Sequence, residues 1–269
     1  MYHEKLRLYF EQFIFTLKKH RDAIDFIYKH RIWEGFWKYG WVAKLLVVIG
    51  VIIGMKFLSV IFSWFTQADT SDPIAVISSV GSLMGQMAEE GYEFLFLGGM
   101  KYIMMIILEI VVFHVCRRTT AILTGQDSQA SFDAFVKAQV RMIKVVIRCY
   151  IMEMIATILL KIFFGIFGFV DFLQPAFVFG VQCYYLGFVV MDNYFEQFSL
   201  SIKESVKYAQ NFIGVALAIG LLLQGMFSIP IAGAIAGPFI SAVAVTLVLF
   251  ELSDLHKRPS MAPEPEEVV

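Results

Sequence analysis

The chain has 269 residues, of which 58% are hydrophobic and 17% charged, and its mean hydropathy is +0.70. Soluble domains are usually nearer half apolar and a quarter charged, so this composition excludes an ordinary soluble domain and indicates an integral membrane protein. No cluster of Lys and Arg is interleaved with aromatics on a soluble module, so nucleic acid is not an expected partner.

Residues 1–40 alternate charged with large apolar side chains, and the apolar ones recur at helical spacing. This pattern predicts an amphipathic helix on the inner face of a lipid bilayer. A first span is predicted at 41–65, since its length suffices to cross ~30 Å of hydrocarbon. Residues 72–87 then predict a short surface helix that starts at Asp72-Pro73. A second span is predicted at 94–116, followed by a polar loop at 119–130.

The second half of the chain predicts two further apolar pairs separated by a surface helix. A long helix should run from near Ser131 to about Phe164, amphipathic at first and then apolar. An interruption is predicted at Asp171 and Pro175, and an apolar segment at 173–191. A surface helix then includes Phe195, Phe198, Ile202 and Val206. The chain ends with the apolar pair 212–228 and 231–251 and a tail at 253–269 that is predicted to be disordered.

Basic residues predict the topology. Eight of the 22 Lys and Arg residues lie in residues 1–40, and others cluster at 117–148, 203–207 and 257–258, whereas the intervening connections hold none. This alternation predicts that both termini are cytoplasmic. The pattern leaves open whether the hairpins 145–191 and 212–251 cross the membrane fully or penetrate it partly.

Residues 226–240, MFSIPIAGAIAGPFI, place two prolines and two glycines in the most apolar stretch. Proline removes a backbone donor and clashes with the preceding turn of a helix. The break therefore predicts a hairpin apex at Pro230, with Gly233 allowing the second arm to pack closely and Pro238 bending it.

Charged side chains inside apolar segments are costly to bury, so each is a candidate functional residue. Pairing of Lys101 with Glu153, or of Glu109 with Lys161, is compatible with their eight-residue spacings. These residues predict either a substrate or proton path or a set of structural ion pairs. The five intramembrane charges are Lys56, Lys101, Glu109, Glu153 and Lys161.

A basic stripe on the long helix is formed by Lys137, Arg141, Lys144 and Arg148, spaced 4, 3 and 4 residues apart. It predicts contact with anionic headgroups or, alternatively, a positive funnel that concentrates an anion.

Known catalytic and cofactor motifs are missing from the sequence. There is no Walker loop, no HExxH and no Ser/His/Asp grouping, so neither an enzyme nor a cofactor is expected. His114 and Cys116 lack a third ligand nearby, so a metal site is not expected. The three cysteines are predicted to be buried apolar residues.

The C-terminal third carries a family resemblance. It runs from Gln182-Cys183-Tyr184-Tyr185 through Met191-Asp192-Asn193-Tyr194 to FIGVALAIGLLLQGMFSIPIAGAIAGPFISAVAVTLVLFE. A glycine-containing apolar run, Ile-Pro, Gly-Pro and an Ala/Val/Thr helix that ends in an acid resemble the CysZ-type sulfate permeases, which are grouped with the eukaryotic etoposide-induced membrane proteins. The resemblance covers about residues 180–252.

The resemblance implies an all-α protein of the bacterial inner membrane, with residues 41–252 forming its membrane domain. It implies two long transmembrane helices, two helical hairpins, amphipathic surface helices, homo-oligomers and sulfate uptake that feeds cysteine synthesis. Sulfate in that family is held near the start of the first long helix by arginines and backbone amides, around a Gly-Leu followed by Arg. The comparable stretch here, YKHRIWEGFWKYG, lacks the Gly-Leu but offers Arg31, with Lys29 and His30 beside it, as anion-binding residues.

The expected function is therefore passage of a small inorganic anion, sulfate first, without ATP hydrolysis. The alternative is a membrane scaffold or envelope protein that shares only the fold, because a fold alone does not determine a function.

Overall fold

A computed structural model describes residues 2–34, 100–125, 132–229 and 232–257. All regular elements in these ranges are helices. The α-helices are, in chain order, α1 (Tyr2–His30), α2 (Met100–Ile107), α3 (Glu109–Thr124), α4 (Phe132–Ile166), α5 (Gln174–Glu196), α6 (Ile202–Ala209), α7 (Ile213–Phe227) and α8 (Ala232–Leu252).

Several predictions of the sequence fall outside the described residues. They are the first span at 41–65 with Lys56, the surface helix at 72–87, the apex residue Pro230, and the tail beyond residue 257.

Four helical stretches are long and apolar enough to cross a bilayer. They are Phe135–Ile166, Asp171–Glu196, Ile202–Phe227 and Ile235–Leu252. The prediction of an all-helical chain with apolar helices of membrane-spanning length is confirmed in the described part of the chain.

Helix α4 begins and ends within two residues of the predicted bounds. Pro175 was predicted to interrupt the chain and instead lies in the first turn of α5, where a proline needs no backbone donor. The second span differs from its prediction, because α3 continues past Arg117 and Arg118 to Thr124. Gly125 ends the helix in the left-handed conformation, with φ of 69°. Such a C-terminal glycine stops a helix more decisively than the charge of two arginines does.

The predicted surface helix is shorter than expected. Phe195 belongs to α5, and only α6 forms a separate amphipathic helix. Ser201 and Glu204 form a capping box at its start, in which each side chain satisfies a backbone N–H of the other residue. Ser199, in the turn between the two helices, has a positive φ of 57°.

Helix α5 packs most closely against α7, through small residues on both helices. A Cβ at Gly187 would overlap the backbone oxygen of Ala216, and a Cβ at Gly220 would overlap that of Cys183. In each helix the two contacting positions are four residues apart, the spacing by which membrane helices approach one another. The pair therefore forms a tight two-helix unit on which α4 and α8 pack.

Helix α1 lies across the end of the α7–α8 pair at which α7 begins and α8 ends. We name this end of the helix bundle the base. Gln12 donates a hydrogen bond of 2.8 Å to the Asn211 carbonyl just before α7, and Tyr9 donates one to the Gln210 carbonyl. Lys19 Nζ lies 2.6 Å from Glu251 Oε1 at the end of α8. The predicted amphipathic helix is therefore present, and part of its apolar face covers protein.

His20 on α1 predicts a pH-dependent stability. Burial lowers the pKa of His20 below its ordinary value of 6.5, and its Nδ1 has no hydrogen-bond partner among the described residues. Since the unfolded chain binds the proton more readily, this stability is present above pH 6.5 and is lost as the pH falls below it. His20→Gln should reduce the loss of unfolding midpoint in detergent between pH ~7.5 and ~5.5.

The matched control for this prediction is His3→Gln, because His3 is exposed on the same helix. An equal pH dependence in the wild type and His20→Gln would contradict the role given to His20.

Candidate functional site: buried charge clusters

The first buried cluster joins α2 to α4. Lys101 Nζ lies 2.7 Å from Glu153 Oε1, and the Tyr102 hydroxyl donates a hydrogen bond to Glu153 Oε2. Lys101 is only 1% exposed and Glu153 8%. Both oxygens of the carboxylate are therefore satisfied, and one of the two pairings compatible with the sequence is present.

The second cluster joins α4, α5 and α6 near the base. Arg141 binds Asp192 through two parallel hydrogen bonds, each 2.8 Å long, the fork geometry of a strong arginine–carboxylate pair. Arg141 also donates to the Ser205 hydroxyl at 2.9 Å and to the Leu200 carbonyl. One guanidinium group thus fixes the end of α5, the turn after it and the start of α6.

Two further acids lie beside this pair. Glu196, one helical turn after Asp192, has an oxygen 3.9 Å from Arg141 Nε. Glu109 at the start of α3 is fully buried, and the polar groups that face it are Asp192, Asn193, Glu196 and Arg141. One arginine is therefore surrounded by three carboxyl groups.

The two clusters lie at different depths in the helix bundle. Arg141 and Glu153 are twelve residues apart on α4, which separates them by roughly 18 Å along the helix axis. The Arg141 cluster lies near the base, since Tyr194 on α5 contacts Ser253 beyond the end of α8. The Lys101 cluster lies deeper, toward the opposite end.

Glu109 and Lys161 are not a pair. Lys161 is exposed near the far end of α4, whereas Glu109 lies close to the base. Of the two pairings, the structure therefore contains only that of Lys101 on α2 with Glu153 on α4.

The basic stripe on α4 divides into two groups. Arg141 points inward to Asp192, whereas Lys137, Lys144 and Arg148 are exposed. Within the described ranges none of these three forms an ion pair. Lys144 and Arg148, one helical turn apart, border a shallow recess with the apolar side chains of Ile147, Ile151 and Met152.

The predicted anion-binding residues lie at the end of α1. Lys29 is exposed, and the His30 ring lies tilted by 37° against Phe26, with ring centroids 4.3 Å apart. Arg31 has a positive φ of 46°. Its side chain is 69% exposed and lies 3.0 Å from Glu34. The three residues are adjacent on the surface, and Arg31 has a carboxylate partner.

The predicted hairpin apex is described in part. A Cβ at Gly233 would overlap the backbone oxygen of Met226, so this glycine permits the close approach of α8 to α7 that the sequence predicts. Pro238 lies inside α8.

The cysteines and metal ligands give no further site in the described residues. Cys116, Cys149 and Cys183 are buried free thiols, as predicted. No group of three or more His, Cys, Asp or Glu side chains in the described ranges could hold a metal ion.

Sequence reasoning missed Asp192, Glu196 and Ser205 as members of a charge cluster. Asp192 and Glu196 are acids at (i, i+4) spacing at the end of an apolar helix, so they share one face. The signal in the sequence was this pair of acids on one helix face, together with Arg141 as a basic residue on a neighbouring helix.

Comparison with protein-family models, with curated proteins and with solved structures finds no match to this chain.

Proposed function

We propose that this chain is an integral membrane protein that lets a small inorganic anion, with sulfate as the first candidate, cross the bilayer without ATP hydrolysis. The resemblance over residues 180–252 to the CysZ-type permeases is the starting point. The described helices add a chemical reason for anion binding. Helix α4 presents positive charges that no described carboxylate neutralises.

The observation that carries the proposal is the pair of exposed cations Lys144 and Arg148. They lie at (i, i+4) on α4, so their side chains emerge on the same face about 6 Å apart at Cβ. A divalent oxyanion can contact both. Lys137, two turns earlier, extends the positive potential toward the base and raises the local concentration of anions.

The proposed architecture follows the resemblance. It has two long transmembrane segments, the first predicted at 41–65 and the second including α2 and α3, and two hairpins formed by α4–α5 and α7–α8. Helix α7 alone has 15 residues, about 22 Å of helix, which is shorter than the ~30 Å hydrocarbon layer. The 26-residue stretch Ile202–Phe227 reaches spanning length only because it includes the amphipathic α6. This length favours partial penetration of the α7–α8 hairpin, with the base and both termini on the cytoplasmic side of the inner membrane.

A homo-oligomer is part of the same proposal. Helix α4 exposes a continuous row of large apolar side chains along its membrane stretch, including Ile147, Ile151, Ile158 and Ile162. Such a face is stable against lipid, and it is also suited to packing against a second copy.

The cation pair gives a direct test. In vesicles that contain the purified protein and no nucleotide, the double variant Lys144→Gln/Arg148→Gln should lower the initial rate of labelled sulfate entry about tenfold, because the local anion concentration falls. The control is Lys203→Gln/Lys207→Gln, which removes two exposed positive charges from α6. If both double variants transport at the wild-type rate, the cation pair has no part in the path.

The end of α1 is tested separately. Arg31→Ala should reduce sulfate entry if Arg31 contacts the anion. Glu34→Ala should not reduce it, since this change frees Arg31 from its carboxylate partner. An unchanged rate in Arg31→Ala would remove this residue from the site.

A second candidate function is a non-transporting membrane scaffold. The observation in its favour is that Lys101 and Arg141, the deeply placed cations of the described helices, are each matched by a carboxylate. Buried pairs of this kind can specify how helices dock without serving transport. A folded wild-type protein whose vesicles take up sulfate no faster than empty ones would favour this function.

A further inference from the structure

Glu109 is the most unusual ionisable residue of the described chain. It lies at the start of α3, directly after the break at Leu108, and has 0% exposure. Among the described residues, neither of its carboxyl oxygens has a hydrogen bond of ordinary length and angle, and the one side-chain amide that faces it is that of Asn193. An ionised carboxylate in this position would be desolvated with at most the Asn193 amide to replace water, which is a costly arrangement in a protein interior.

The neighbouring charges do not compensate a negative Glu109. The groups that face it are Arg141 from α4 and Asp192, Asn193 and Glu196 from α5. Arg141 is already bound by Asp192, the Leu200 carbonyl and Ser205.

Helices α2 and α8 offer no spare cation in the described residues, and the three other cations of the α4 stripe are exposed rather than directed at Glu109. Lys101 on α2 is paired with Glu153. The one charged residue of α8 is Glu251, paired with Lys19. Cys116, two turns along α3, adds a buried thiol and no positive charge.

Asn193 supplies a second, independent observation. It is 2% exposed, and its amide nitrogen donates a hydrogen bond of 3.3 Å to the Val189 carbonyl of its own helix. Its Oδ1 is buried with no donor in the described part of the chain. Asn193 faces Glu109 from α5, so a residue beside the buried carboxyl carries a buried acceptor with no described donor.

We infer that the Glu109 carboxyl is a proton-binding site, which carries its proton at neutral pH and uses the O–H to satisfy the acceptors around it. One proton converts an acceptor-only carboxylate into a donor, so it removes the buried negative charge and supplies a missing hydrogen bond. This inference does not depend on the proposed transport function, because protonation of Glu109 is a property of the resting protein.

Loss of this proton has a structural consequence. An ionised Glu109 competes with Asp192 for Arg141, the residue that links α4, α5 and the start of α6. Proton release at Glu109 is therefore coupled to the contacts that hold the base of the bundle together.

Infrared difference spectroscopy of the full-length protein tests the site directly. A neutral carboxylic acid has a C=O stretch that is separate from carboxylate and amide bands and shifts in D₂O. We expect the wild type at neutral pH to show such a band, Glu109→Gln to lose it, and Glu251→Gln, which changes an exposed glutamate, to keep it. Glutamine has the shape of a protonated glutamate, so the variant should fold.

Three results would overturn the inference. The first is no acid band in wild-type protein labelled with ¹³C at its glutamate carboxyls, a measurement that needs no substitution. The second is a band that Glu196→Gln removes and Glu109→Gln retains, which places the proton on the other acid. The third is a band that appears only when sodium is replaced by a bulky organic cation, which means that the site holds a metal cation instead.

Discussion

Replacing Arg141 with alanine is expected to lower the free energy of unfolding by about 3–5 kcal/mol, the range observed when one partner of a buried ion pair is removed. Asp192 is 3% exposed, so its carboxylate would remain desolvated after its partner is lost. The Ser205 hydroxyl and the Leu200 carbonyl would also lose their donor. The measurement is the unfolding midpoint of the purified protein in detergent, together with the yield of folded protein.

The control for this prediction is Lys144→Ala, an exposed cation on the same helix, which should change stability by no more than about 0.5 kcal/mol. The double variant Arg141→Leu/Asp192→Leu should recover part of the loss, because it removes the buried Asp192 carboxylate together with its partner, although the half-buried Glu196 also loses Arg141. A midpoint in Arg141→Ala equal to that of Lys144→Ala would show that the Arg141 cluster does not hold the base together.

Replacing Gly220 with alanine is expected to destabilise the protein by about 1–3 kcal/mol, and valine by more, since both add atoms to a contact with no space. The added Cβ would overlap the backbone oxygen of Cys183 on α5, and backbone cannot move aside as a flexible side chain can. Separation of α5 from α7 would weaken the most extensive helix contact of the described chain. The readout is again the unfolding midpoint.

Gly225→Ala is the matched control on the same helix. No atom lies within 4 Å of a Cβ built at Gly225. Since alanine favours a helix over glycine by about 1 kcal/mol, this variant should be neutral or more stable than the wild type. Equal shifts of the midpoint in the two glycine variants would contradict the claim that α5 and α7 are in close contact at Gly220.

Much of the helical architecture was predictable from local patterns. The bounds of α4, α7 and α8 agree with the predictions to within about two residues, because long apolar runs bounded by Pro, Gly and charges give strong signals. The prediction ends the second span just before Arg117, because two positive charges indicate the end of the helix. The left-handed Gly125 ends it instead.

The charge clusters were only partly predictable. Periodicity indicated that Lys101 and Glu153 are compatible partners, but it could not decide between registers that depend on how α2 crosses α4. The inward rotation of Arg141, unlike the exposed Lys144 and Arg148 of the same stripe, depends on the position of Asp192 on another helix. Close approach at Gly187 and Gly220 likewise arises from tertiary packing and has no local signature.

Labelled sulfate uptake by vesicles that contain the purified wild-type protein, with no nucleotide on either side, is the most direct test of the proposed function. We predict entry down a sulfate gradient at a rate well above that of protein-free vesicles, with competition from other divalent oxyanions. Uptake equal to that of protein-free vesicles, from protein shown to be folded by its unfolding transition, would contradict the permease proposal.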